Sequence, residues 1–94
     1  MSEPTHRLVA RVHGRVQGVS FRETTRQKAL ALGLTGWVRN DDDGSVHITA
    51  EGLRPSLEQF TEFLATGPIM ARVTRVETHW QAATGEFTTF AITR

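Results

Sequence analysis

The chain has 94 residues and a formal charge of +1, from 11 basic and 10 acidic side chains, with 38% hydrophobic and 22% charged residues and no cysteine. This length predicts a single domain over residues 1–94, one sheet layer covered by a couple of helices. The absence of cysteine excludes a disulfide framework, a thiolate nucleophile and a Cys-based metal site, and the near-balanced charge argues against a strong nucleic-acid or acidic-membrane binder. No apolar run approaches the roughly 20 residues of a membrane span. Met1-Ser2-Glu3-Pro4-Thr5 carries no leader pattern, so a cytoplasmic location is the expectation.

Leu8, Ala10 and Val12 alternate with Arg7, Val9, Arg11 and His13, which predicts a first strand over residues 6 to 13. Gly14 and Gly18 follow, in the run Gly14-Arg15-Val16-Gln17-Gly18-Val19-Ser20. Both glycines permit positive φ, so the amides of Arg15, Val16, Gln17, Gly18, Val19 and Ser20 can turn inward as a concave ring of N–H donors. A helix is predicted from Phe21, with Phe21, Thr25, Ala29 and Leu32 on one face and Gly33 as its stop. Its unpaired first-turn N–H groups and positive dipole end meet the loop, and Arg22 adds a guanidinium on the first turn. Together these predict an anion cradle suited to a phosphate.

Leu34, Gly36 and Val38 alternate with Thr35, Trp37 and Arg39 up to a turn at Asn40-Asp41-Asp42-Asp43-Gly44. Val46, Ile48 and Ala50 then alternate with His47, Thr49 and Glu51, completing a hairpin that ends at Gly52. Pro55 suits the start of a second helix with Leu57, Phe60, Phe63 and Leu64 as its stripe, and Gly67-Pro68 stops it. Arg72 to Trp80 reads as a strand, and a last strand is predicted over Phe87 to Thr93. Two βαβ units with both helices on one face give an α+β, ferredoxin-like sandwich with a mostly antiparallel sheet.

Several sharper motifs fail. The loop is neither a Walker A sequence nor Gly-x-Gly-x-x-Gly, and Ser20 lacks the second glycine of a nucleophile elbow and has no base nearby. Placing Gly44 sixth in an EF-hand loop puts Arg39 first and Ala50 twelfth, so the aspartates do not read as a calcium loop. His6, His13, His47 and His79 have no paired metal spacing, and no metal or other cofactor is expected. An RNA-binding use of the sheet needs aromatics on its central strands, where Arg7, Val9, Arg11, His47 and Thr49 point outward and Trp37 lies on another strand. Phe60, Phe63 and Trp80 read as core. Asn40 alone reads as a turn former, but with Arg22 it lies at the end of an element on one edge of the sheet.

The run Val12-x-Gly14-x-Val16-Gln17-Gly18-Val19-x-Phe21-Arg22 resembles the first signature of the acylphosphatase family. Gly36-Trp37-Val38-Arg39-Asn40, three residues, Gly44-x-Val46, five residues and Gly52 resembles the second. The resemblance covers essentially the whole chain. It implies hydrolysis of small-molecule acyl phosphates to a carboxylate and inorganic phosphate, with Arg22 binding the phosphoryl group and Asn40 positioning water. A monomer acting without metal, nucleic acid or membrane is the accompanying expectation. The competing expectation is a non-catalytic module that keeps the cradle and binds an anion or acyl phosphate without turnover.

Overall fold

The computed structural model describes residues 3–94. The elements run β1 (His6–Arg15), α1 (Phe21–Ala31), β2 (Thr35–Asn40), β3 (Val46–Gly52), α2 (Arg54–Thr66), β4 (Arg72–Ala82) and β5 (Phe90–Ile92). They build one five-stranded sheet in the order β4-β1-β3-β2-β5. Every neighbouring pair is antiparallel except β2 with β5. Both helices pack on one face, which is the ferredoxin-like arrangement.

The period-2 alternation decides which face is covered. Leu8, Ala10 and Val12 of β1, Val38 of β2 and Val46, Ile48 and Ala50 of β3 are buried beneath the helices. From α2, Leu57, Phe60 and Leu64 come down onto them, and the Phe60 ring meets Phe90 of β5 edge-on with centroids 6.1 Å apart. Each such side chain contributes about 1.5–3 kcal/mol when fully buried. Gly33 ends α1 at φ +73, where its N–H donates to the Leu30 carbonyl at 3.1 Å and that of Leu34 to Ala29 at 2.9 Å. This pair of bonds satisfies the last carbonyls and turns the chain back into β2.

Three details depart from the alternation read in the sequence. The last strand is Phe90–Ile92 and not residues 87 to 93. Residues 84 to 87 are held instead against the far end of the sheet: Thr84 and Gly85 donate to Glu51, and Phe87 lies under the Arg7 guanidinium at 5.1 Å. Thr49 and Glu51, expected to face outward, are buried at 4% and 1% exposure. Thr49 is walled in by its register partners Val9 and Trp37, and Glu51 is roofed by that same segment. Trp80, expected in the core, is half-buried because β4 is an edge strand, and Arg54 stacks on its ring at 3.7 Å.

Glu51 is the most buried charge in the described chain, with none of its side chain accessible. Its carboxylate accepts from Arg7 Nε at 2.7 Å, from the Thr84 and Gly85 amides at 2.9 Å each and from the Thr84 hydroxyl at 3.1 Å. Burial disfavours its charge, but the Thr84 amide, Arg7, the Gly85 amide and the Thr84 hydroxyl outweigh it and hold the carboxyl below its ordinary range. A carboxyl depressed on folding stabilises the fold fully above about pH 5 and loses that contribution as pH falls through its native value. Glu51→Gln is therefore expected to lose about 2–4 kcal/mol in urea unfolding at pH 7, the gap from wild type narrowing at pH 3. A gap that is constant across this pH range would mean that the carboxylate charge plays no part.

Candidate active site

The loop after β1 is shaped by its backbone. The β1–β4 register slips at His13/Gly14, and Gly14 sits at φ +123 with its α-carbon so close to β4 that a Cβ would stand 2.0 Å from the Arg72 carbonyl oxygen. Only glycine fits there. Gly18 follows at φ +74, then Ser20 at φ 61 and ψ 23, which is the one non-glycine residue of positive φ in the described chain. Ser20 occupies the N-cap position of α1, yet its hydroxyl caps nothing; its carbonyl accepts instead from the Thr24 amide at 3.0 Å and the Thr24 hydroxyl at 2.8 Å. Among the described residues, none of the N–H groups of residues 16 to 20 donates a hydrogen bond to the protein.

The hairpin turn that carries Asn40 is fixed from two sides. Gln17 Nε2 donates to the Asp41 carbonyl at 2.8 Å and the Ser45 carbonyl at 3.0 Å, lacing the loop to the turn. From the open face of the sheet, Arg11 reaches Asp41 at 3.2 Å and Asp43 at 3.6 Å. The Ser45 hydroxyl and amide hold the Asp43 carboxyl below its usual range, so it stays ionised for Arg11. Burial lowers the pKa of neighbouring His47, and the charges of Arg11 and Arg39 lower it further. On that open face Trp37 meets the His47 ring edge-on at 5.4 Å and carries Arg39 at 5.0 Å.

Arg22 and Asn40 line one cavity of about 210 Å³ with Val16, Gly18, Ser20, Phe21, Glu23 and Ile92. Arg22 is half-buried on the first turn of α1 and makes no hydrogen bond or ion pair among the described residues. Asn40 faces the helices, and its Oδ1 is buried with no hydrogen-bond partner. Of the other loop residues expected to contribute, Val16, Gly18 and Ser20 line the cavity, Val19 packs against the core, Gln17 forms the bridge to the turn and Arg15 is exposed at the end of β1. Ile92 and Glu23 in the wall, and the Gln17 side-chain bridge, were not anticipated from sequence. Only Glu23 carried a local signal, as an acidic residue in a helix first turn.

A larger cavity of about 560 Å³ lies at the opposite end, between the C-terminal end of α1 and the N-terminal end of α2. No Arg, Lys or His lines it, and of its two acidic lining residues Glu51 is already paired with Arg7, so nothing there attracts an anion and size does not decide the site. Among the described residues no three His, Asp or Glu side chains converge in a metal-binding group, and no helix is long and apolar enough to cross a membrane.

Free loop amides at a helix N-terminus, a guanidinium with no protein partner and a neutral buried amide give this α+β protein a cavity whose chemistry suits an anion. Residues 8–92 match the acylphosphatase family model. An acylphosphatase of Salinibacter ruber is 48% identical over 88 residues, which cover 94% of this chain and 93% of the relative. The crystal structure of the acylphosphatase from Bacillus subtilis superposes with a TM-score of 0.91 at 35% identity, covering 95% of this chain and 99% of that one. The structure of an acylphosphatase from Coxiella burnetii gives 0.86 at 40% identity, covering 96% of this chain and 94% of that one. The chain belongs to the acylphosphatase family. It is a hydrolase of acyl phosphates, and the expectation of a module without turnover is set aside.

Proposed function

We propose that Arg22 and the amides of residues 15 to 20 hold the phosphoryl group of an acyl phosphate while Asn40 orients the attacking water. The observation that carries this division of roles is the buried, unpartnered Oδ1 of Asn40 in the same cavity as the unpartnered Arg22. The water oxygen forms a bond to phosphorus as the bond from phosphorus to the acyl oxygen breaks, and the electron pair leaves with the carboxylate. A carboxylate is a good leaving group, so no general acid is needed and the protein acts through positioning and charge stabilisation. The proton of the water passes to a phosphate oxygen, because an amide does not accept it in the usable pH range. The products are a carboxylate and inorganic phosphate.

The test is binding of product and of its mimic. Phosphate and sulfate are expected to inhibit acetyl phosphate hydrolysis competitively and to raise the melting temperature, by about 2.7 kcal/mol of added stability at a hundredfold excess over Kd. Both effects should vanish in Arg22→Gln. Inhibition and stabilisation that persist unchanged in that variant would place the anion elsewhere.

A further inference from the structure

The loop that cradles the phosphoryl group and the strand that ends in Asn40 are not joined directly by the sheet. The loop follows β1, Asn40 closes β2, and β3 lies between those two strands. β1 leaves its ladder with β3 after Val12 and its ladder with β4 after Arg15, so no strand pairing continues into the loop. Attack on phosphorus nevertheless requires the water and the phosphoryl group to be aligned with their reacting atoms about 3–3.5 Å apart. The loop must therefore be fixed against the end of β2 by some other contact.

Gln17 makes that contact. Val16 and Gly18 line the cavity, while the side chain of Gln17 between them leads away from it to the hairpin turn. A carboxamide nitrogen carries two N–H groups, and here they reach the Asp41 carbonyl at 2.8 Å and the Ser45 carbonyl at 3.0 Å, spanning both limbs of the turn. Asp41 directly follows Asn40, and Ser45 directly precedes Val46, the register partner of Asn40. Among the described residues these are the only hydrogen bonds between the loop and the turn. Asn40 Oδ1 accepts none, so its place is set by the backbone that Gln17 holds.

We infer that the Gln17 side chain is a positioning element of the reaction, setting the water held at Asn40 in line with the phosphoryl group held in the loop. This rests on the assignment of Asn40 as the water-positioning residue. Without the bridge the turn keeps its own bonds, from the Asp41 amide to the Ser45 carbonyl at 2.9 Å and from the Gly44 amide to the Asp41 carbonyl at 3.1 Å, and its pairs with Arg11. Neither carbonyl is then left unpaired, so the turn stays folded but is free to shift against the loop. Val16 and Val19 still anchor the loop in the core, and Arg22 is untouched, so the anion keeps its binding groups. Loss of the bridge falls on the alignment of the water.

The experiment is steady-state hydrolysis of acetyl phosphate, with inhibition by inorganic phosphate, in wild type, Gln17→Met, Asn40→Ala and the double variant. Methionine has a similar length and no N–H donor, so Gln17→Met is expected to lower kcat about 10- to 100-fold while the Ki of phosphate stays within about threefold. In the Asn40→Ala background the same substitution should cost less than about threefold, because the residue it positions is gone. Gln17→Asn, one methylene too short to reach both carbonyls, should reproduce the loss of kcat, and it carries the test if Gln17→Met melts too low to assay. A folded Gln17 variant within about threefold of the wild-type kcat overturns the inference. An equal loss in kcat and in phosphate affinity, or an undiminished loss in the Asn40→Ala background, overturns it as well. Wild-type turnover by Asn40→Ala would instead overturn the assignment of Asn40 itself.

Discussion

Arg22→Lys is expected to hydrolyse acetyl phosphate about 10²- to 10³-fold more slowly than wild type, the usual cost of losing one preorganised donor to a developing charge. Guanidinium presents two parallel N–H groups to two phosphoryl oxygens from a rigid plane, whereas an ammonium is a compact point charge on a more flexible stem and cannot make that fork. The loss should fall on kcat as well as KM, because the fork is aligned with charge that spreads over the equatorial oxygens in the transition state. Stability provides the control. Arg22 makes no ion pair or hydrogen bond among the described residues, so the variant should unfold in urea within about 0.5 kcal/mol of wild type. A folded Arg22→Lys within threefold of wild-type rate would remove Arg22 from the phosphoryl site.

Asn40→Asp should be slower still, although it is nearly isosteric. Were position 40 a general base, a carboxylate there would accelerate the reaction, since it can take a proton from water and an amide cannot. A carboxylate beside the attacking water also stands a few ångströms from a phosphoryl dianion. At an effective dielectric of about 20 that repulsion is on the order of 4 kcal/mol for each pair of unit charges at 4 Å, a rate loss of about 10³-fold. Asn40→Ala separates the two effects: it removes the water-orienting oxygen without adding charge and is expected to lose about 10²-fold. Circular dichroism and urea unfolding at pH 7 must show both variants folded, because Oδ1 is buried. A folded Asn40→Asp as fast as wild type would refute water orientation by a neutral amide.

Where the determinants were local, the sequence was readable. The glycines around the first loop, the stop at Gly33 and the Asn-Asp-Asp-Asp-Gly turn each act within a few residues of themselves, and the elements they bound begin and end within a residue or two of expectation. Glu51 was misread because alternation gives only the face of the strand; what covers that face comes from residues 84 to 87, over thirty positions away. The same holds for Ile92, which reaches the cavity only because β5 pairs with β2 in parallel, placing Ile92 opposite Val38. Gln17 was expected to contribute a backbone amide, but its side-chain bonds to the Asp41 and Ser45 carbonyls depend on the hairpin turn folding against the loop. Arg22 and Asn40 were legible as a pair because each lies at the end of an element whose direction the topology fixes.

The parallel pairing of β5 with β2 also bears on how the cavity comes into being. Gly36 N–H reaches the Thr89 carbonyl and Thr93 N–H the Val38 carbonyl, at 2.9 Å each, and the other edge strand is joined to β1 by pairs as remote as His6 with Ala82. Closing such wide loops costs entropy before any contact offsets it, which places folds of this kind among those that form in milliseconds to seconds, not microseconds. A nascent chain that has emerged only as far as α2 already contains Arg22, Asn40 and every loop amide, yet lacks the strand that braces Gly14 and the one that supplies Ile92. The complete cavity is thus a property of the finished fold, since a chain that ends at α2 lacks part of its wall and the strand that backs its loop.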